Sequence, residues 1–253
     1  KNDLAINQSS NTGVDATTRL VHDGAGQSTS ISLSDDVLKV QPVNDSTTGT
    51  FLCNSSGGDS ILAVDTTNSK VLVGAGQVAA NTQYAHFGIS YLSSANYADD
   101  VHYPIIFNGH YLSSSASDVD FGSGTDPDDS FDTANTDTQY ASQIVPYIWR
   151  LPDNITIDAI SHIEGADAAS GDTTRMHLKS FDFTSGSTSC LTNGALLGHN
   201  PDVTNAGNEQ AYLSTWTVDS ADVDAGKAIL CFFICDTDSS DYSLNITVKY
   251  HIR

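Results

Sequence analysis

The first eighty residues repeat themselves, and the repeat limits what this chain can fold into. Leu20-Val21-His22-Asp23-Gly24-Ala25-Gly26 is followed by Ser30-Ile31-Ser32-Leu33-Ser34 and then by Val37-Leu38-Lys39-Val40. Thirty-one positions on, Phe51-Leu52-Cys53-Asn54-Ser55-Ser56-Gly57 is followed by Ile61-Leu62-Ala63-Val64-Asp65 and, after a two-residue insertion, by Lys70-Val71-Leu72-Val73. Short apolar runs separated by Gly, Asp, Asn and Thr read as strands joined by tight turns, because those residues bend a backbone that β-branched side chains would keep extended. Each copy therefore reads strand, Gly turn, strand, polar turn, strand. Leu4-Ala5-Ile6 and Asn11-Thr12-Gly13 read as part of an earlier, decayed copy.

Two copies are too few for a self-standing solenoid. The strands also lack bulk: Phe51 is the only aromatic residue in the first eighty, and each strand carries two or three aliphatic side chains. A lone chain of this kind buries little apolar surface against the entropy of ordering its backbone. Winding identical chains together supplies the missing core. The runs Asp23-Gly24-Ala25-Gly26 with Ser30-Ile31-Ser32-Leu33-Ser34, and Phe51-Leu52-Cys53-Asn54 through Ile61-Leu62-Ala63-Val64-Asp65-Thr66-Thr67-Asn68 to Val71-Leu72-Val73-Gly74, resemble repeats of bacteriophage tail-fibre and related virion proteins. The resemblance covers residues 1–80 and implies an elongated, intertwined homotrimer.

Beyond Gly74-Ala75-Gly76 and Ala79-Ala80-Asn81-Thr82 aromatic residues become common and a conventional core is feasible. Tyr103-Pro104-Ile105-Ile106-Phe107 is a compact apolar run, and Ser113 to Thr138 is a polar stretch that reads as a long exposed loop. Tyr147-Ile148-Trp149-Arg150, Ile155-Thr156-Ile157, Met176-His177-Leu178-Lys179 and Phe181-Asp182-Phe183 are candidate strands, and Ile229 to Cys235 reads as a buried one. Tyr212, Ser214, Trp216 and Val218 alternate along one face, as do Leu244, Ile246, Val248, Tyr250 and Ile252. About eight strands at short spacing predict an antiparallel, jelly-roll-like β-sandwich. The expected fold is all-β: a repeat-containing β stem and oligomerisation region over 1–80, then a β-sandwich head over 81–253.

The formal charge is −21, carried almost wholly by Asp, since Glu164 and Glu209 are the two glutamates. A field this negative argues against nucleic acid and against an anionic membrane surface. No run approaches the roughly 18 apolar residues of a membrane span, and no signal peptide is visible. Cys53, Cys190, Cys231 and Cys235 show no metal-ligand spacing and read as buried free thiols.

The chain has no Gly-x-Ser-x-Gly elbow, no His-Glu-x-x-His and no phosphate loop, so an enzyme is not expected. No cofactor is expected either. Calcium is the one plausible ion, because hard cations take clustered oxygens. Its candidate ligands are Asp126, Asp128 and Asp129, with Asp132, and Asp236, Asp238 and Asp241. Trp149 and Trp216 sit in strand patterns and read as core. Asn154-Ile155-Thr156 and Asn245-Ile246-Thr247 match the glycosylation pattern but fall within expected strands. The expectation is a phage structural protein residing in the virion and assembled in the host cytoplasm. As a tail fibre or spike it would mediate host attachment, with other virion proteins and a host glycan or receptor as partners, and the 113–138 loop as the contact. The alternatives are a capsid fibre or head decoration protein and, further off, a polysaccharide depolymerase.

Overall fold

A computed structural model describes residues 4–6, 14–23, 25–74, 78–109, 119–127, 141–167, 170–187, 190–237 and 240–253. The chain divides into two compact units, Lys1–Asn81 and Thr82–Arg253. Among the described residues strand dominates, and the one α-helical segment is the single turn Ala141–Ile144. No helix among them is long and apolar enough to cross a membrane.

The N-terminal unit holds two antiparallel four-stranded sheets, one for each copy of the repeat. The first runs β1 (Ala5–Ile6), β2 (Arg19–His22), β3 (Ser28–Leu33) and β4 (Leu38–Val40), and the second β5 (Phe51–Asn54), β6 (Ser60–Asp65), β7 (Lys70–Val73) and β8 (Val78–Ala79). Repeat-equivalent turns are closed by similar chemistry. The Asp23 carboxylate accepts from the amides of Ala25 and Gln27 at 2.9 and 2.7 Å, and the Ser55 hydroxyl accepts from the Asp59 amide at 3.1 Å. In the second turn Ser34 Oγ accepts from the Val37 amide at 3.0 Å. Its equivalent Asp65 accepts from the Asn68 amide at 3.0 Å and from Asn68 Nδ2 at 2.7 Å, which holds its carboxyl below the usual range. The two-residue insertion lengthens this second turn, and Ser69 there takes a left-handed φ of 55°.

The C-terminal unit contains β9 (Thr82–Leu92), β10 (Tyr103–Phe107), β11 (Trp149–Arg150), β12 (Ile155–Ala166), β13 (Thr173–Phe183), β14 (Leu191–His199), β15 (Val203–Thr204), β16 (Gln210–Thr215), β17 (Thr217–Val218), β18 (Asp222–Val223), β19 (Ala228–Cys235) and β20 (Tyr242–Ile252). The main path runs β16-β12-β20-β9-β10-β19-β13-β14-β17. The long strands fall into two four-stranded layers, β16-β12-β20-β9 and β10-β19-β13-β14, which is the strand order of a jelly roll. The layers join at both sides, so the sheet is nearly closed. At one corner β10 pairs with β9 through Ile106 and Phe107 and with β19 through Tyr103 to Ile105. At the other the chain passes from β16 on β12 to β17 on β14.

The core lies between the layers, where Phe87, Ile105, Leu178, Phe233, Ile246 and Val248 are fully buried. Trp149 and Trp216 are buried, and Trp149 stacks on Phe107 with centroids 5.7 Å apart. Period-two burial holds along β20 through Val248, then reverses: His251 is buried and Ile252 is exposed. Every residue of β19 is buried, because its outward side, with Leu230 and Phe232, lies under a second cluster containing Val119, Phe121 and Ile144.

That cover corrects one expectation. The 113–138 loop is described over 119–127 only, where Val119, Phe121 and Pro127 are buried rather than exposed. A strand apolar on both faces needs a lid, and Phe121 supplies it, 4.9 Å from Phe232. Two further corrections are local. Met176–Lys179 and Phe181–Phe183 are one strand, β13, and Tyr147 belongs to a short 3-10 turn over Val145–Tyr147. Of the four free cysteines, Cys190, Cys231 and Cys235 are buried but Cys53 is exposed.

One polar group crosses the core. Glu164 on β12 accepts hydrogen bonds from Thr174 Oγ1 on β13 at 3.0 and 2.8 Å. Trp216 Nε1 donates to His162 Nδ1 at 2.7 Å, which places the imidazole proton on Nε2, 3.4 Å from Glu164 Oε2. Thr174 thus supplies the hydrogen bonds to this buried carboxylate, and the His162 ring faces it without bonding it.

Candidate interaction surfaces

Strand register decides which side chains share a face. In the second repeat sheet Phe51, Val64 and Val71 form one row, and Cys53, Leu62 and Val73 the next, so one face is wholly apolar. In the first sheet Ile31 pairs with Val40 and Leu33 with Leu38. These are the repeat equivalents of Leu62, Val73, Val64 and Val71. Both copies thus present the same aliphatic face. It is left largely uncovered, with Leu38 64% and Phe51 45% exposed. Among the described side chains of this unit, Val21 and Ala63 are the buried apolar ones. Ala63 lies on the opposite face, beside Gly49, where an added Cβ would lie 2.6 Å from Leu52 Cδ2.

The C-terminal unit has an open sheet face of its own, the outer side of β16-β12-β20-β9. Three rows cross it. Ser161 lies between Thr215 and Thr247, Ile163 between Leu213 and Asn245, and Gly165 between Ala211 and Ser243. None of these rows carries a carboxylate. Charge flanks these rows at both ends: Asp167, Glu209 and Asp241 line the hollow beside the Gly165 row, and at the other end Asp158 meets His251 at 3.0 Å and Asp222 accepts from Thr156 Oγ1 at 2.6 Å. Leu213 is 78% and Ile163 53% exposed. The small residues Gly165, Ala211, Ser243 and Ser90 leave a groove of about 550 Å³, which continues past Ile163 and Asn245 into a second hollow of about 300 Å³. At its end Tyr91 donates its hydroxyl to Asp241 at 2.5 Å, and the Ser94 amide donates to the same carboxylate at 2.8 Å. These bonds hold the Asp241 carboxyl below its ordinary range and push the Tyr91 hydroxyl up.

The calcium candidates are not gathered into one site by what is described. Asp236 accepts from the Thr173 amide at 2.6 Å and fixes the start of β13, whereas Asp241 serves Tyr91 and Ser94. Asp126 is exposed. Asp128, Asp129, Asp132 and Asp238 lie outside the described residues. Among the described residues no three His, Cys, Asp or Glu side chains come together as a metal ligand set.

A histidine cluster, unremarked by sequence spacing, lies beneath residues 119–127. His102 Nε2 donates to the Gly124 carbonyl at 3.0 Å, and Lys179 Nζ donates to the Pro127 carbonyl at 3.1 Å. The rings of His102 and His177 are 5.5 Å apart, and the Nδ1 atom of each lacks a hydrogen-bond partner. Burial, reinforced by the charge of a protonated His102 and partly offset by Asp126, pushes His177 down to about 4.

No family model matches this chain, and no curated protein matches it. Among solved structures, an aminopeptidase from the marine sediment archaeon Thaumarchaeota archaeon aligns over 76% of this chain and 40% of its own length, at 9% identity and a TM-score of 0.29. So weak a likeness carries no argument about fold or activity.

The sandwich face and its groove were missed by sequence reading because their residues come from four strands far apart in the chain. The one available signal was the run of uncharged residues at the outward positions of 161–165, 211–215 and 243–247 in a chain so rich in Asp.

Proposed function

We propose that this chain is a structural protein of a bacteriophage particle, a tail fibre or spike that assembles as a homotrimer through residues 1–80 and attaches the particle to its host through residues 81–253. The observation that carries the reading is the uncovered aliphatic face shared by both repeat sheets. Exposed apolar area of this extent marks a surface that is covered in the working assembly. Any partner that covers both copies must carry the same repeat spacing, and another copy of the chain does so. The resemblance of the repeats to virion fibres supplies the particle, and the self-sufficient core of the second unit supplies a rigid body on which a host glycan or receptor contact could be built.

Light scattering on the purified chain tests the assembly: the expected mass is about three times 26.8 kDa. A monodisperse monomer would remove the basis for the reading. Gold labelling on intact particles tests the location, where label on the head rather than the tail would favour a capsid fibre or decoration protein. Shortened chains after incubation with host polysaccharide would instead favour a depolymerase.

A further inference from the structure

We infer that the hollow between the Val145–Tyr147 turn and the β13–β14 hairpin binds a free fatty acid, with the alkyl tail inside and the carboxylate on Arg150. The inference stands apart from the proposed assembly and uses no part of the repeat sheets.

The hollow has a volume of about 440 Å³, within the range of small-ligand sites. Local structure places its walls. β13 ends at Phe183, and the chain then turns through Gly186, whose φ of 76° is left-handed, with the Thr184 amide donating to the Cys190 carbonyl at 2.9 Å. The other wall, Ile144, Val145 and Ile148, comes from the helical turns and the cap that precede β11. Ile144 and Cys190 are buried members of the cluster over β19, whereas Val145 is 69% and Phe183 41% exposed. The second core thus continues to the surface as an apolar recess. Burial pushes the Cys190 thiol up, so it stays neutral and serves as apolar lining.

Charge selects the occupant. The chain carries −21, yet no side chain lining this hollow is a carboxylate. Asp182, next to Phe183, is bound to Lys227 Nζ at 2.5 Å and to Asn193 Nδ2 at 2.6 Å, and does not line it. Of the four arginines, Arg19, Arg175 and Arg253 are each ion-paired with Asp. Arg150, whose exposed side chain lines the hollow, has no carboxylate partner among the described residues. A guanidinium beside apolar walls selects an anion and pairs a carboxylate bidentately. Apart from Arg150 and Ser187 the lining side chains are apolar. A peptide would therefore bury amides without partners, which is costly, whereas an alkyl chain has no polar group to satisfy.

Titration calorimetry on the full chain with decanoate and with decyltrimethylammonium, equal tails under opposite charges, tests this. Non-specific attraction to a chain of −21 favours the cation, so the expected result, decanoate binding at least tenfold tighter, is diagnostic. Equal or tighter binding of the cation, or no binding of decanoate, would overturn the inference. Arg150→Gln should abolish the preference, and Val145→Asp should weaken decanoate at least tenfold. Both positions are exposed, so both variants should unfold in urea as the wild type does. Retained preference in Arg150→Gln overturns the assignment of the carboxylate. A change of mass in Val145→Asp by light scattering would make the rim a contact between copies and sink the inference. Tighter binding to phosphatidylglycerol vesicles than to decanoate would put a bilayer lipid in its place and sink it too.

Discussion

In the C-terminal unit Phe87, Phe233 and Ile246 have no exposed surface, whereas in the N-terminal unit the side chains at the corresponding stage of construction, Phe51, Leu38 and Val73, stay about half exposed. Both units are antiparallel sheets with well-formed turns. They differ in whether a second layer exists to cover the first. The sandwich folds eight long strands back on themselves and buries both inner faces. The repeat sheets are meanders that close their turns locally and leave one apolar face open. Hydrogen-bonded turns and ladders are thus sufficient to shape a sheet, but a core requires another layer, supplied within the chain in one unit and, under the proposed assembly, by other copies in the other.

The sharpest way to break this comparison is to truncate one ring in each unit. Phe233→Ala should cost about 3–5 kcal/mol in urea or thermal unfolding, the usual cost of emptying a filled core position. Phe51→Ala should leave unfolding of the sandwich unchanged and instead lower the assembled mass at micromolar concentration. If Phe51→Ala destabilised the sandwich and left the mass intact, the division of labour between the units would be wrong.

A smaller effect concerns the lid on β19. His177 titrates near 4 in the folded chain against about 6.5 when unfolded, so between these values the unfolded chain binds more protons and acid favours it. Stability from the neutral ring is present above about pH 6.5 and is lost as pH falls toward 4. With the ring's partial exposure discounted, the loss should be about 2 kcal/mol. His177→Phe should remove that slope, read from urea unfolding at pH 4.5 and 7. An unchanged slope would show that His102, not His177, responds beneath the lid.

The smallest effect tests the local closure of the repeats. Asp65→Ala removes two hydrogen bonds to Asn68 and should raise amide exchange in the β6–β7 hairpin about fivefold, a loss near 1 kcal/mol, with no change in the sandwich. An effect on the sandwich would mean that the hairpin's order is not set by its own turn.

Much of this could be read from the residues alone. The β2 to β7 strands fall where the repeat places them, and β10, β19 and β20 fall on their apolar patterns, since period-two alternation and turn residues are local properties. Trp149 and Trp216 were legible as core for the same reason. Val119 and Phe121 were not, because a few apolar residues in a polar stretch carry no period, and what buries them is the far side of β19. The rows through Ile163 and Leu213 were equally hidden, since register between β12 and β16 is not a local quantity.

By itself, then, the sequence determined the strand and turn pattern, the repeat, the poverty of apolar bulk in the first eighty residues and the excess of acid, all of which follow from side-chain chemistry along the chain. Tertiary structure decided the jelly-roll order, the lid over β19, the pairing of His102 with His177 and the uncharged central rows of the β16-β12-β20-β9 layer. Each depends on which distant strands lie side by side, and that choice is made by packing two layers around one core rather than by any short stretch of residues.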